Sequence, residues 1–163
     1  MKKYAMIAAA LAASSLVGAM PAQAACWSAT SVNAAKLRNL DIMLMVTALR
    51  CRMGPDNFQP DYYAFAAAHQ AELNVANRQL RTQLASESGK GGPDRALDKM
   101  STRIANSYGT GHPTMGCRDL KSATRSLAQS RSQGTLLAAA DAMVGESEFA
   151  GRTCGAQYAA TRR

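Results

Sequence analysis

From residue 32 to residue 144 the apolar positions recur at helical spacing, in segments separated by proline and glycine clusters at 54–60, 89–93 and 109–116, with a further glycine-containing stretch at 145–155. The first segment predicts a helix over Val32–Met53, in which Leu37, Leu40, Leu44, Ala48 and Cys51 make one stripe. Ile42, Met45, Val46 and Leu49 make a second stripe on another side, so this helix is expected at the centre, covered by neighbours on more than one face. A second helix is predicted over Asp61–Ser86, with Pro60 suited to its first turn and Tyr62, Phe65, Ala66, His69, Leu73, Ala76, Leu80 and Leu84 along one side. A third covers Pro93–Tyr108, with Leu97, Met100, Ile104 and Tyr108 inward and Gly109 as its stop. A fourth covers Met115–Arg131, with Cys117, Leu120, Thr124 and Leu127 inward. A short fifth covers Thr135–Val144, with Leu136, Ala140 and Met143 inward. No alternating β-branched run, hairpin signal or internal repeat interrupts this pattern. The expected fold is all-α, a compact bundle of about five helices joined by short loops.

The N-terminus adds a compartment. Lys2 and Lys3 precede an apolar stretch from Tyr4 to Met20, and Ala22-Gln23-Ala24 supplies a small-x-small cleavage site. This is the pattern of a bacterial secretory signal. Residues 1–24 are expected to be removed, leaving 25–163 as a single helical domain in the periplasm or outside the cell. Lys2 and Lys3 leave with the signal, which takes the formal charge from +8 to +6.

All four cysteines, Cys26, Cys51, Cys117 and Cys154, lie in the expected mature part. An even count in an exported chain reads as two disulfides. An up-and-down order of the helices assigns them. Cys26 lies below the first helix and Cys51 at its top. The second helix descends and the third rises, so Cys117 opens the fourth at the top. The chain after the fifth helix can return Cys154 to the bottom. The pairing is therefore Cys51–Cys117 at one end and Cys26–Cys154 at the other. A Cys26–Cys51 bridge would have to span about 30 Å of helix.

This answers the question raised by the densest apolar stretch, LDIMLMVTALRCR over 40–52. Its apolar run is far shorter than the roughly 20 residues a membrane span needs, so no transmembrane span is expected after signal removal. Methionines fill an irregular core, and Cys51 fastens the upper end.

Several residues carry a resemblance. Cys26-Trp27 at the expected mature start, MLMVTALRCR, the Y-x-F of Tyr63–Phe65, ANRQL, IANSYG and a cysteine opening the next helix resemble a group of small exported helical proteins of alphaproteobacteria with four cysteines. The resemblance covers most of the mature chain, and MLMVTALRCR is its most specific part. It implies no activity. Some members are labelled S-adenosyl-L-homocysteine hydrolase, but that enzyme is a much longer cytosolic protein with a dinucleotide-binding G-x-G-x-x-G in a βαβ unit. Here Gly109-Thr110-Gly111 lacks the third glycine and follows a predicted helix.

Candidate chemistry is sparse. His112, Met115 and Cys117 gather three soft ligands in six residues, a set that suits Cu(I). An oxidised Cys117 would leave them as a loop over the core, and no metal or other cofactor is assigned. Cys117 with His112 would make a nucleophilic pair only if the thiol were free. His69 falls on the buried side of its helix and reads as a core residue. Glu146 and Glu148 in GESEFAG read as a solvated loop. C-x-x-C, C-x-x-C-H and zinc spacings are all absent from the sequence. Arg50, Arg52, Arg78, Arg81, Arg118, Lys121, Arg125 and Arg131 are scattered singly or in pairs, as on solvated helix faces. With one Trp and no interleaving of basic and aromatic residues, no nucleic-acid partner is expected.

The preferred reading is a non-enzymatic exported module that binds an envelope protein or an anionic envelope polymer. The alternative is a small periplasmic enzyme or Cu(I)-binding protein that uses the 109–117 loop.

Overall fold

The computed structural model describes residues 26–144 and 152–154. The expected signal segment 1–24, the expected mature start Ala25, and Glu146 and Glu148 lie outside the described residues. The described chain forms six helices: α1 (Ala29–Cys51), α2 (Gln59–Ala68), α3 (Gln70–Ala85), α4 (Gly92–Ser107), α5 (Cys117–Gln129) and α6 (Gln133–Val144). The only extended pairing among the described residues is an isolated parallel bridge between Trp27 and Thr153. The all-α bundle expected from the sequence is therefore what forms.

α1 is the central helix and touches the other five. It starts earlier than its apolar stripe suggests. Ser28 has extended backbone and its Oγ accepts from the Ser31 N–H at 3.1 Å, which caps the first turn. Leu37, Leu40, Met43 and Leu44 are buried, as are Ala34, Ala35 and Ala48. The small side chains let neighbouring helices approach, and the long ones fill the space between. Thr47 is buried too, and its hydroxyl donates to the Met43 carbonyl at 2.7 Å, so no polar atom there is orphaned.

The single helix expected over Asp61–Ser86 is broken at His69, which gives six helices where five were expected. His69 leaves helical geometry (φ −115°, ψ 18°) although no glycine or proline marks the place. Its imidazole is buried, lies 5.2 Å from the Phe65 ring, and bonds through Nε2 to the Leu127 carbonyl at 2.8 Å. That carbonyl sits in the last turn of α5, where acceptors lack partners in the helix ladder. The break lets the two halves face different neighbours. α2 lies chiefly against α5 and also touches α1, whereas α3 lies against α1 and α4.

The other elements follow their stripes. Leu97, Met100, Ile104 and Tyr108 are buried on α4 and the turn after it. Leu120, Thr124 and Leu127 are buried on α5, and Leu136, Ala140 and Met143 on α6. Gly109 directly follows the C-cap residue Tyr108, as expected of a stop, but its backbone is not left-handed. The helix ends at Ser107, and the positive φ falls on Gly111 at 111°. A Cβ at Gly111 would meet only the Arg50 side chain, so conformation is what favours glycine there.

Both disulfides form as the topology predicts. Cys51 pairs with Cys117 across a Cα–Cα distance of 5.8 Å, and Cys26 with Cys154 across 4.8 Å. Disulfides of this kind belong to an oxidising compartment outside the cytosol. Among the described residues no helix is long and apolar enough to cross a membrane.

Candidate interaction surface

The upper half of α1 is not covered all round. Its second apolar stripe divides: Ile42 is buried and Val46 half-buried, but Met45 and Leu49 are 36% and 45% exposed. One turn further on Met53 is 89% exposed. Met45 and Leu49 stand at i and i+4 and form a row on α1, and Met53, four residues on, lies in the turn beyond Cys51, where the helix ends. This corrects the expectation that neighbours cover both stripes.

The lower end of the row is closed by an ion pair that ties α1 to helices on either side. The Tyr62 hydroxyl of α2 donates to Asp41 Oδ1 at 3.1 Å. Arg38 Nη2 donates to Ser101 Oγ of α4 at 3.1 Å, and Arg38 Nη1 stands 3.7 Å from Asp41 Oδ2. Above this pair α2 leans toward α5 and leaves the row open. Next to Tyr62 in the chain, Tyr63 is 62% exposed, with its ring 5.9 Å from that of Tyr62. Arg52, also exposed, lies on the same side of α1 as the row. The surface thus combines exposed Met45 and Leu49 of α1 with Met53 and the Arg52 cation just past its end, on a helix with a disulfide near each end.

Burial pushes the Asp41 carboxyl above its usual range, and the Tyr62 hydrogen bond and Arg38 offset that only in part. The same burial, together with the Asp41 charge, raises the Tyr62 hydroxyl. A carboxyl raised on folding contributes stability that is full below its unfolded pKa and is lost as pH rises through its folded pKa. Asp41→Asn, which can still accept from Tyr62, is therefore expected to melt higher than the parent at pH 7. The gap should close below about pH 3, where both side chains are neutral. Thermal unfolding across pH checks this, and a gap that widens on acidification would reverse the sign.

The residues singled out for chemistry are engaged elsewhere. His112 Nδ1 accepts from the backbone N–H groups of Thr114 and Met115 at 3.2 and 3.0 Å, and Nε2 donates to the Met143 carbonyl at 2.7 Å. Nδ1 thus holds the 109–116 loop in its own turn, and Nε2 ties that loop to the end of α6. The Cys117 sulfur is bonded to Cys51, and Met115 is half-buried against the core. The three candidate Cu(I) ligands sit in one region but do not present a His nitrogen and a thiolate to one point. His69 lies in the core, as its position predicts. Among the described residues no three His, Cys, Asp or Glu side chains converge.

The chain matches no family model, no curated protein and no solved structure. The surface on α1 must be read from its own chemistry. Sequence periodicity found its residues but not their exposure, because a second apolar stripe looks the same whether or not a helix covers it. The break at His69 decides that, and its local sequence carries no Gly or Pro signal.

Proposed function

We propose that this chain is an exported, non-enzymatic helical module of the bacterial envelope. It presents Met45 and Leu49 of α1, with Met53 in the turn that follows, to a protein partner. The observation that carries the reading is their exposure: large apolar side chains left open on α1 and in the turn after it, with disulfides near both ends of that helix. Burying an exposed Leu or Met side chain against a partner contributes on the order of 1–2 kcal/mol. A surface already rigid loses little entropy on binding. Methionine suits contact surfaces because its thioether is polarizable and its rotamers adapt. Arg52 beside the row, and the formal charge of +6 left once Lys2 and Lys3 are removed with the signal, favour a partner segment that carries carboxylates along its apolar face. The signal-like N-terminus and the two disulfides support a periplasmic or secreted location.

The test is cross-linked co-purification from the native envelope with charge-substituted variants. Leu49→Asp combined with Met53→Asp changes only exposed positions and should keep the helical circular dichroism. Ser126→Asp, on the exposed side of α5, is the control. A complex recovered with the parent and with Ser126→Asp, but lost with the double variant, is expected. Recovery of the same complex with all three proteins would remove α1 as the binding surface.

A further inference from the structure

The two disulfides differ in access. Cys51 is buried and Cys117 half-buried, whereas Cys26 and Cys154 are both exposed. The exposed bridge fastens a strap that includes residues 152–154 beside Trp27. The Trp27 N–H donates to the Arg152 carbonyl at 2.7 Å, and the Cys154 N–H donates to the Trp27 carbonyl at 3.0 Å. The Arg152 guanidinium lies 5.9 Å from the indole centroid and 3.5 Å from Glu87 Oε2. The indole N–H donates to Glu87 Oε1 at 2.6 Å. Beside this strap Trp27 is 0% exposed and belongs to the core. Beside it is a hollow of about 220 Å³ whose floor includes Leu84, Ala96 and Met100.

We propose that Cys26–Cys154 is a site of thiol–disulfide exchange with a dithiol reductant, and that its reduction releases the strap and uncovers Trp27. A thiolate of the reductant attacks one sulfur of the bridge, forms a mixed disulfide and expels the other sulfur as a thiolate. The second thiolate of the reductant then attacks the mixed disulfide and leaves as an intramolecular disulfide. The protein gains two electrons and two protons, and the reductant loses the same. After the bridge opens, the contacts that remain on the strap include two backbone hydrogen bonds, an ion pair with a half-exposed guanidinium, and a cation–π contact. Exposed ion pairs and cation–π contacts are weak, and the conformational freedom of an untied chain opposes them. With its covalent tie gone the strap leaves, while Cys51–Cys117 keeps the other end of the bundle closed. The result is a second apolar surface, at the opposite end of α1 from Met53, that exists only in the reduced protein.

Trp27 is the single tryptophan of the chain, so its emission reports the strap directly. The experiment is partial reduction of the oxidised, folded protein with dithiothreitol, alkylation of the thiols, peptide mapping, and tryptophan fluorescence on the same samples. Expected are alkylated Cys26 and Cys154 with Cys51–Cys117 intact, retained helical circular dichroism, a red-shifted emission and a severalfold rise in acrylamide quenching. The Cys26→Ser, Cys154→Ser double variant should show the shifted emission without reductant. Opening of Cys51–Cys117 first, or an unchanged Trp27 emission once Cys26 and Cys154 are alkylated, would overturn the proposal. So would loss of helix in the partly reduced protein, because the change would then be unfolding and not release of a strap.

Discussion

Replacing Cys51 with serine is expected to cost about 2–5 kcal/mol, a large share of the roughly 5–15 kcal/mol that holds a domain of this size together. The bridge joins residues 66 apart in sequence. Without it the unfolded chain regains the freedom of a long open loop, which in the chain-entropy treatment is worth roughly 4–5 kcal/mol before any native strain is subtracted. Cys51 is buried at the upper end of the central helix, so serine there also places a hydroxyl among apolar groups. Cys117→Ser opens the same bridge from the other side and should cost about as much. The double variant should cost little more than either single one, because all three lose one shared interaction. Denaturant unfolding of the three proteins measures this. Costs that add would mean that each sulfur acts separately and that the bridge is not the source of stability.

His69→Ala is the second large effect, expected to lower stability by about 2–4 kcal/mol. The imidazole is buried against Phe65, and alanine would leave a void there. It also removes the Nε2 bond to the Leu127 carbonyl, although that carbonyl still accepts from the Ser130 N–H at 3.0 Å. The other ring nitrogen, Nδ1, is buried with no hydrogen-bond partner. A leucine would fill much of the same volume, lose one hydrogen bond and remove that orphaned acceptor. An unpaired buried polar atom costs about as much as a hydrogen bond contributes, so these two changes nearly offset. His69→Leu should therefore cost less than half of what His69→Ala costs. Urea unfolding of both variants, with unchanged m-values, checks the order. Equal costs would mean that the hydrogen bond, and not the volume, is what matters at the break.

Much of this fold was legible in the sequence because amphipathic periodicity records which side of a helix is buried. Leu97, Met100 and Ile104, or Leu120, Thr124 and Leu127, needed only their spacing to be placed inward. The disulfide pairing followed from the alternation of helix directions, and it survives the break at His69 because α2 and α3 still descend together as one leg. What was not legible depended on partners far away in the chain. The carbonyl that His69 meets lies 58 residues away. Trp27 and Phe58 belong to no helical stripe, yet both are fully buried. His112 offered soft-ligand chemistry on paper, but its nitrogens are occupied by two backbone N–H groups and by the Met143 carbonyl, and local spacing does not disclose that carbonyl. The candidate surface was half legible: Met45 and Leu49 were visible as apolar, but their exposure depends on which distant elements pack on α1, and α2 packs chiefly on α5 instead.

The methionines themselves offer the most direct measurement of the central claim, that the upper face of α1 is an open surface which a partner covers. Peroxide oxidation footprinted by mass spectrometry reads each thioether separately, because exposed methionines convert to sulfoxide and buried ones resist. In the isolated protein Met53 and Met45 should oxidise well before Met43, Met100 and Met143, which are buried. In the native envelope Met53 and Met45 should be protected, and the Leu49→Asp, Met53→Asp double variant should lose that protection at Met45. Equal oxidation of Met45 and Met53 in the isolated protein and in the native envelope would contradict the account.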